Sequence, residues 1–224
     1  MKLIQLLALF FIFIASEGYS AAGNVTNIER ADEFLADLMK LSDSVKSNGD
    51  VSVRKELIKK LSSSVDFEGL AQKSLGKHWT STSKAKRQEF LAVLKDLVEK
   101  VLYPRAKRIN SKIGEIKFSA VPGRPSNVKA STKYEYEKAG DLVSRNVEIE
   151  LVYKNFGNKS RIVDAILEGE EVSMNLNRQF SQILEKRTID EVLEKMKQKL
   201  KAQTDPNLFP KSDSKATADK PAVK

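Results

Sequence analysis

The chain has 224 residues, of which 41% are hydrophobic and 31% are charged, and its formal net charge at pH 7 is +9. It contains no cysteine, which excludes disulfides, thiol nucleophiles and thiolate metal sites. No run of basic residues interleaved with aromatics is present, so nucleic-acid binding is not indicated, and the length suits one domain, or two small ones, with a real core.

The N-terminal segment 1–22 has the pattern of a cleaved signal peptide. Lys2 is followed by an almost uninterrupted apolar run over 3–15, which is shorter than the about 20 apolar residues that a membrane-spanning helix needs. Small residues come next, so we expect cleavage near Ser20 or Ala22 and export of a soluble mature protein. An uncleaved N-terminal anchor is the alternative.

Apolar residues at helical spacing predict three successive helices, over 26–46, 51–61 and 66–75. Thr26 opens the first of them with a capping box, because a Glu follows three residues later. Gly76 is a suitable C-cap for the third.

A fourth helix is predicted after Ser83, which is a good N-cap residue. Pro104 should kink or end this helix, because proline has no backbone N–H to donate. Its predicted buried face consists of Phe90, Leu94, Leu97 and Val101.

Beyond residue 115 the apolar residues recur at every second position, which predicts β-strands. Four strands are expected, around 116–120, 130–136, 143–153 and 161–168. The connecting loops are predicted at 122–127, 139–141 and 155–160. Short connections that contain glycine favour an antiparallel meander.

Two helices are predicted after Gly169, the second opened by a capping box of Thr188 and Glu191. Their predicted buried faces carry Val172, Leu176, Phe180 and Ile183 in the first helix and Ile189, Val192, Met196 and Leu200 in the second. The fold class is therefore α+β, with N-terminal helices and two C-terminal helices packed around a twisted antiparallel sheet of about four strands. We expect this domain to span 23–203, followed by a disordered tail at 204–224.

The reactive side chains give little support for an enzyme. His78 is the single histidine, and no nucleophile elbow, glycine-rich phosphate loop or cluster of metal ligands is evident. Asp164 and Glu168 fall on one face of the fourth strand and leave two interpretations open, an acid/base pair or charges that anchor the fold. On the outer face of the sheet they would pair with Arg145 or Lys133.

Two blocks carry a likeness to a known family. LGKHWTSTSKAKRQEFLAVLKDLV at 75–98 contains Leu-Gly-x-x-Trp, a Ser/Thr helix start and a Gln-Arg-x-x-Phe-like pattern. IVDAILEGEEVSMNLNRQFSQIL at 162–184 contains Asp-x-x-x-Glu-Gly followed by a helix with Gln-Phe and Ile-Leu. In both blocks the chain resembles the MlaC family of periplasmic phospholipid-binding proteins, also described as toluene-tolerance proteins. The order and spacing of its predicted elements from Val25 to about Leu200 resemble that family as well.

The residues that match the family's pattern are Gly76, Trp79, Arg87 or Gln88, Phe90, Asp164, Glu168, Gly169, Gln179 and Phe180. Two stretches depart from it. Glu170 and Glu171 stand where the family has a small or apolar residue and Ser. The family's Asn-Tyr-Arg is replaced by Asn175, Leu176 and Asn177, with the arginine displaced by one position.

The resemblance implies a soluble periplasmic carrier of phospholipid rather than an enzyme, with no cofactor beyond the diacyl phospholipid that is its cargo. It would act as a monomer and shuttle lipid between an outer-membrane lipoprotein–porin complex and an inner-membrane ABC transporter complex, as an auxiliary component that maintains outer-membrane lipid asymmetry. The acyl chains would lie between sheet and helices, with the headgroup near the surface. Asp164 and Glu168 would then hold the fold or face a partner.

We predict that the lipid pocket is lined by apolar and aromatic residues from the inner face of the sheet and from the covering helices. The lipid-binding candidates are Trp79, Phe90, Leu94, Tyr134, Tyr136, Val147, Ile149, Leu151, Ala165, Leu167 and Phe180. Such a lining would enclose a cavity larger than an ordinary packing defect. The alternative is a filled core.

Basic residues are predicted to form a positive rim or docking face beside the pocket. The tail after Leu200 carries five Lys and three Asp and the signal segment is neutral, which leaves +7 on the body. A positive body suits a phosphate group and anionic membranes. The predicted rim residues are Arg105, Lys107 and Arg108, together with the segment 84–87, and the alternative is a solvated helix face.

Two other functions remain open at this point. One is an exported enzyme on a cone-shaped α+β scaffold that uses Asp164 or Glu168 as a base on an apolar substrate. The other is a structural adaptor whose apolar interior is packed core, because a fold alone does not decide between functions.

Overall fold

The structure is a computed structural model that describes residues 25–105, 115–138, 141–167, 169–204 and 208. Within these ranges seven α-helices pack on one five-stranded antiparallel sheet, which confirms the predicted α+β class. The helices are α1 Val25–Lys46, α2 Val51–Ser63, α3 Phe67–Leu75, α4 Lys77–Ser81, α5 Lys84–Leu97, α6 Val172–Leu184 and α7 Ile189–Gln203. The strands are β1 Lys117–Val121, β2 Arg124–Lys138, β3 Asp141–Phe156, β4 Lys159–Leu167 and β5 Glu170–Glu171. The predicted signal peptide lies outside the described residues.

Most of the predicted helix ends are confirmed by their caps. The Ser83 hydroxyl accepts the backbone N–H of Lys86 at 3.3 Å, and Thr188 and Glu191 form the predicted capping box. The prediction is wrong at Thr26, because α1 already begins at Val25 and Thr26 therefore lies inside the helix.

The helical segment that contains Pro104 changes its winding along its length. After α5 the chain forms a π-helix over Val98–Leu102 and a 3₁₀ turn over Tyr103–Arg105. The carbonyl of Pro104 accepts the hydroxyl of Ser42 in α1 at 2.9 Å, so this carbonyl is satisfied by a neighbouring helix.

The sheet is a meander with the strand order β1-β2-β3-β4-β5, which confirms the predicted antiparallel pairing. Two predicted loops are wrong, because the strands run almost to each other. In place of 122–127 a two-residue turn, Pro122-Gly123, joins Val121 to Arg124. Its glycine has φ +73°, as the second central residue of a type II turn requires.

A second short turn replaces the predicted loop 155–160. Gly157 and Asn158 connect Phe156 to its partner Lys159, and Gly157 has φ +60°. A glycine at the first central position suits the twist of a two-residue hairpin. The residues 139–140, where the remaining turn was predicted, lie outside the described residues.

Beyond Ser131 of β2 and before Ile149 of β3, the strands β2 and β3 form a two-stranded ribbon. β1 pairs with β2 only as far as Ser131, and β4 pairs with β3 only from Ile149 onwards. Residues 132–138 and 141–148 therefore have only each other as strand neighbours in the described chain.

Leu208 joins the core although it falls in the predicted tail. It is completely buried, and its carbonyl accepts a hydrogen bond from Nη1 of Arg54 at 3.2 Å. Arg54 in α2 is itself completely buried. The remainder of the predicted tail, apart from Thr204, lies outside the described residues.

Candidate functional site

The inner face of the sheet carries two apolar rows that cross several strands. Residues directly opposite each other in paired strands lie on the same face of a sheet. Backbone register places Phe118, Ala130, Ile149 and Leu167 in one row and Ala120, Val128, Leu151 and Ala165 in the next. This register confirms that Ile149, Leu151, Ala165 and Leu167 share a face.

Helices cover these rows and supply the other apolar residues of the predicted pocket. Phe90 in α5 and Phe180 in α6 meet edge to face, with ring centroids 5.2 Å apart. Both are buried, as is Leu94 one turn after Phe90. The two blocks that are distant in sequence therefore meet in one helix layer.

Nine of the eleven predicted lipid-binding residues belong to a single apolar cluster. Six are buried: Phe90, Leu94, Ile149, Leu151, Ala165 and Phe180. Trp79, Val147 and Leu167 are partly buried against them. Tyr134 and Tyr136 continue the alternation by backbone register, opposite Arg145 and Val143, and their side chains lie outside what the structure describes. Whether the cluster opens into a lipid-sized cavity stays a prediction.

The Asp164 carboxylate is buried where β4, α3 and α6 meet. Its Oδ1 accepts the backbone N–H groups of Ala165 at 2.9 Å and Ser173 at 3.1 Å. Its Oδ2 accepts the Ser173 hydroxyl and pairs with Lys73 Nζ at 3.0 Å. A buried charge is stable only when it is paired and hydrogen-bonded in this way.

Ser173 is the second residue of α6, and this helix has no side-chain cap of its own at Glu171. Asp164 supplies that cap from the preceding strand, and its negative charge also suits the positive end of the helix dipole. The four donors around Asp164 leave it no oxygen free for a substrate, so its geometry is that of an anchoring charge. Glu168 lies outside the described residues.

The predicted partners of Asp164 are wrong. Arg145 and Lys133 were expected beside it on the outer face, but Asp164 pairs with Val152 of β3. Arg145 is seven residues from Val152 along that strand, which is about 23 Å at the rise of a β-strand. Lys73 and Ser173 were missed because their nearness to Asp164 depends on helix packing that strand spacing does not report.

Gly76 has a conformation that favours glycine, with φ +51° and ψ −123°. A Cβ at this position would lie 2.3 Å from Nδ2 of Asn177 in α6. That amide in turn donates to the carbonyl of Ser74 at 3.3 Å. The glycine therefore permits a close approach of α3 and α6.

Three of the residues at which the chain departs from the family's pattern contact one another. Glu170 in β5 accepts the Asn175 amide at 2.8 Å and forms an ion pair with Arg178 in α6. Gln179 donates to Asn175 at 2.6 Å. These contacts form a polar network at the start of α6.

Three described residues of the predicted basic rim, Arg105, Lys86 and Arg87, have partners within the protein. Arg105 donates to the backbone carbonyl of Gln203 at 2.6 Å and so ties the end of α7 to the segment after α5. Lys86 pairs with Asp190 at 2.5 Å, and the Arg87 guanidinium lies over the Trp79 ring, 5.3 Å from its centroid. Lys107 and Arg108 lie outside the described residues, so the rim itself stays a prediction.

Among the described residues, no group of three or more His, Cys, Asp or Glu side chains is arranged to hold a metal ion. In the same part of the chain, no helix is both long enough and apolar enough to cross a membrane.

A family model described as MlaC protein matches residues 29–198. No curated protein matches the sequence. The fold is similar to the solved structure of the phospholipid-binding protein from Ralstonia solanacearum in complex with a phospholipid, with a TM-score of 0.56 and 12% sequence identity. That match covers 83% of this chain and 99% of the other. At this identity the similarity concerns the fold.

Proposed function

Because the chain belongs to the MlaC family, we propose that it is a periplasmic carrier that binds phospholipid between its sheet and its helices. The observation that carries this proposal is the apolar cluster, in which rows from β2, β3 and β4 face Phe90, Leu94 and Phe180. The similar structure from Ralstonia solanacearum is of a phospholipid-binding protein in complex with its lipid, which supports the same assignment.

The lipid would enter by separating the layers of this cluster. Leu151 is 6% exposed and Ala165 is not exposed, so acyl chains would have to replace contacts that these side chains now make with the helices. The exchange is feasible because both kinds of contact are apolar and nondirectional. The headgroup would remain at the surface.

Transfer energetics explain why such a carrier releases its cargo to membranes but not to water. Burying roughly thirty methylenes at about 0.8 kcal/mol each gives some tens of kcal/mol relative to water. A bilayer shelters the same chains equally well, so the free energies of lipid in pocket and membrane differ by little. Loading is therefore reversible at membranes, whereas loss into water is negligible.

We propose further that the exchange takes place with an inner-membrane ABC transporter complex and an outer-membrane lipoprotein–porin complex, and that it maintains outer-membrane lipid asymmetry. The protein would act as an exported monomer without a catalytic step. The hydrogen bonding of Asp164 supports a binding role, because its carboxylate is fully used within the fold.

Native mass spectrometry of the protein purified from a host with diacyl phospholipid membranes tests the proposal. The expected result is an additional mass that matches a diacyl phospholipid and is released by organic solvent. A protein that gives only the apo mass, before and after incubation with phosphatidylglycerol vesicles, would contradict lipid binding and favour the structural adaptor.

A further inference from the structure

The end of the β3–β4 hairpin extends beyond the neighbouring strand of the sheet. β3 pairs with β2 only as far as Val152, whereas β3 and β4 continue to pair up to Phe156 and Lys159. Every residue from 154 to 159 is exposed. The hairpin end is therefore a convex surface feature that is open to a partner.

One face of this hairpin end carries three cations and an aromatic ring. Lys154 lies opposite Arg161, and Phe156 lies opposite Lys159. Residues directly opposite each other, and residues two apart in one strand, lie on the same face of a sheet. We call these four residues, Lys154, Phe156, Lys159 and Arg161, the hairpin patch.

Phe156 lies at the surface between two of these cations. Its side chain is 38% exposed and does not belong to the apolar cluster. Nζ of Lys154 lies 5.6 Å from the ring centroid, and the Arg161 guanidinium lies 5.4 Å from it. Both distances are those of cation–π contacts, which hold the ring and the charges together on this face.

The charge of the hairpin patch is not neutralised by the described part of the chain. No carboxylate there lies at ion-pair distance from its three cations. The next acids along the same face of the sheet are Glu150 and Asp164. Both have cations of their own, since Arg124 pairs with Glu150 at 3.0 Å and Lys73 pairs with Asp164 at 3.0 Å.

The opposite face of the hairpin does not offset this charge. A polar cleft there is lined by Arg30 and Lys60 and by Glu33 and Asp37. Lys60 pairs with both acids, at 2.5 and 2.8 Å, and Arg30 balances the remaining negative charge. The positive charge of the hairpin patch therefore remains for an external partner.

An exposed ring beside three cations on a projecting turn matches a flat anionic surface. Basic residues are attracted to anionic headgroups, and an aromatic side chain can enter the boundary between headgroups and acyl chains. An acidic peptide would bind better in a groove with walls on both sides. The convex shape of the hairpin end therefore favours a membrane.

We propose that the hairpin patch binds the surface of a bilayer that contains anionic lipids. Phe156 enters the interface, and Lys154, Lys159 and Arg161 contact lipid phosphates. No residue of the patch belongs to the predicted lipid pocket or to the predicted basic rim. The proposal stands on the hairpin and does not require that the protein carries lipid.

The test is sedimentation of the protein with vesicles of phosphatidylethanolamine and phosphatidylglycerol, with phosphatidylcholine vesicles as the neutral reference. We expect binding to the anionic vesicles that weakens as salt rises, because salt screens the charges. Lys154→Gln/Lys159→Gln should weaken binding at low salt by about fivefold for each lysine removed. Phe156→Ala should weaken it about fourfold, with little dependence on salt.

Two control variants separate the patch from general properties of the surface. Lys77→Gln/Lys195→Gln removes the same amount of charge outside the patch, and Met174→Ala removes an apolar side chain that is also exposed. Both should bind the anionic vesicles as the wild type does. All variants share the N-terminal segment, so its apolar residues affect every comparison equally.

Equal binding by the wild type and the patch variants, or an equal loss in Lys77→Gln/Lys195→Gln, would overturn the proposal. Binding of polyglutamate without binding of vesicles would also overturn it, and would favour an acidic protein as the partner. Phospholipid that co-purifies with each variant tests the carrier function separately, because the patch variants should retain it.

Discussion

Asp164 accepts the backbone N–H of Ser173 at 3.1 Å and thereby caps α6 from the strand before it. We expect Asp164→Ala to lower the free energy of unfolding by about 3 kcal/mol, because it leaves the buried donors of Ser173 without an acceptor. Lys73 is half-exposed and can turn to water. Urea unfolding at neutral pH measures the loss.

The control for this variant is Asp190→Ala, which removes an exposed carboxylate that also pairs with a lysine, Lys86. Ion pairs of this exposure contribute about 1 kcal/mol or less. Equal losses for the two variants would contradict the capping role of Asp164.

Gly76→Ala should lower the free energy of unfolding by about 1–3 kcal/mol, because the backbone conformation favours glycine. Part of the loss comes from the contact with the Asn177 amide. Thermal unfolding of Gly76→Ala/Asn177→Ala, compared with Asn177→Ala, separates the two causes. Backbone strain predicts that most of the loss persists in the double variant, and full recovery would show that the close approach alone requires glycine.

Leu151→Phe should reduce the amount of co-purified phospholipid, because a larger side chain in the middle of the inner face narrows the space for acyl chains. Overpacking costs about 1–3 kcal/mol, so we expect the variant to remain folded by circular dichroism. Leu151→Met is the volume-conserving control and should retain lipid. Unchanged lipid content in folded Leu151→Phe would place the lipid elsewhere.

Lipid transfer to anionic vesicles should slow as salt rises if Lys107 and Arg108 contribute to a docking face, since charges on a surface are screened beyond about 8–10 Å. We expect Lys107→Glu/Arg108→Glu to lower the transfer rate at low salt and to leave lipid retention unchanged. Arg105→Gln is a contrasting variant, because loss of its contact with Gln203 should lower stability by about 1 kcal/mol. A normal transfer rate in the charge-reversed variant would contradict the docking face.

Burial raises the pKa of Tyr103 and Tyr153 above the ordinary value of 10.0. The neutral hydroxyls therefore stabilise the fold below this pH, and that contribution is lost as pH rises above it. Urea unfolding at about pH 8 and about pH 11 should show a loss of stability that is smaller in Tyr103→Phe/Tyr153→Phe. An identical loss in both proteins would show that other groups cause it.

The sequence predicted the helices and strands well because caps and buried faces are determined by residues that are close together in the chain. The caps at Ser83 and Thr188 and the glycine at position 76 depend on residues within one turn of the chain. The predicted buried face of the fourth helix is buried in the structure for the same reason: Phe90, Leu94 and Leu97 in α5 and Val101 in the π-helix that follows it.

The loops were predicted too long because turn residues such as Pro125 were taken to interrupt the sheet. Pro125 lies within β2, but β2 pairs with β3 only from Asn127 onwards, so the missing N–H breaks no bond to that strand. The contacts of Asp164 could not be predicted, because they join segments that are distant in sequence. Their residues carry no spacing signal of their own.

The two-stranded ribbon at 132–138 and 141–148 has a consequence for amide hydrogen exchange. In an antiparallel pair, every second residue directs its N–H away from the partner strand. Where β1 and β4 flank the pair, those outward amides can bond to a further strand, whereas in the ribbon no further strand of the described chain lies beside them. Deuterium uptake along β2 should therefore be slow and even over 127–131 and then alternate between slow and fast from residue 132 onwards.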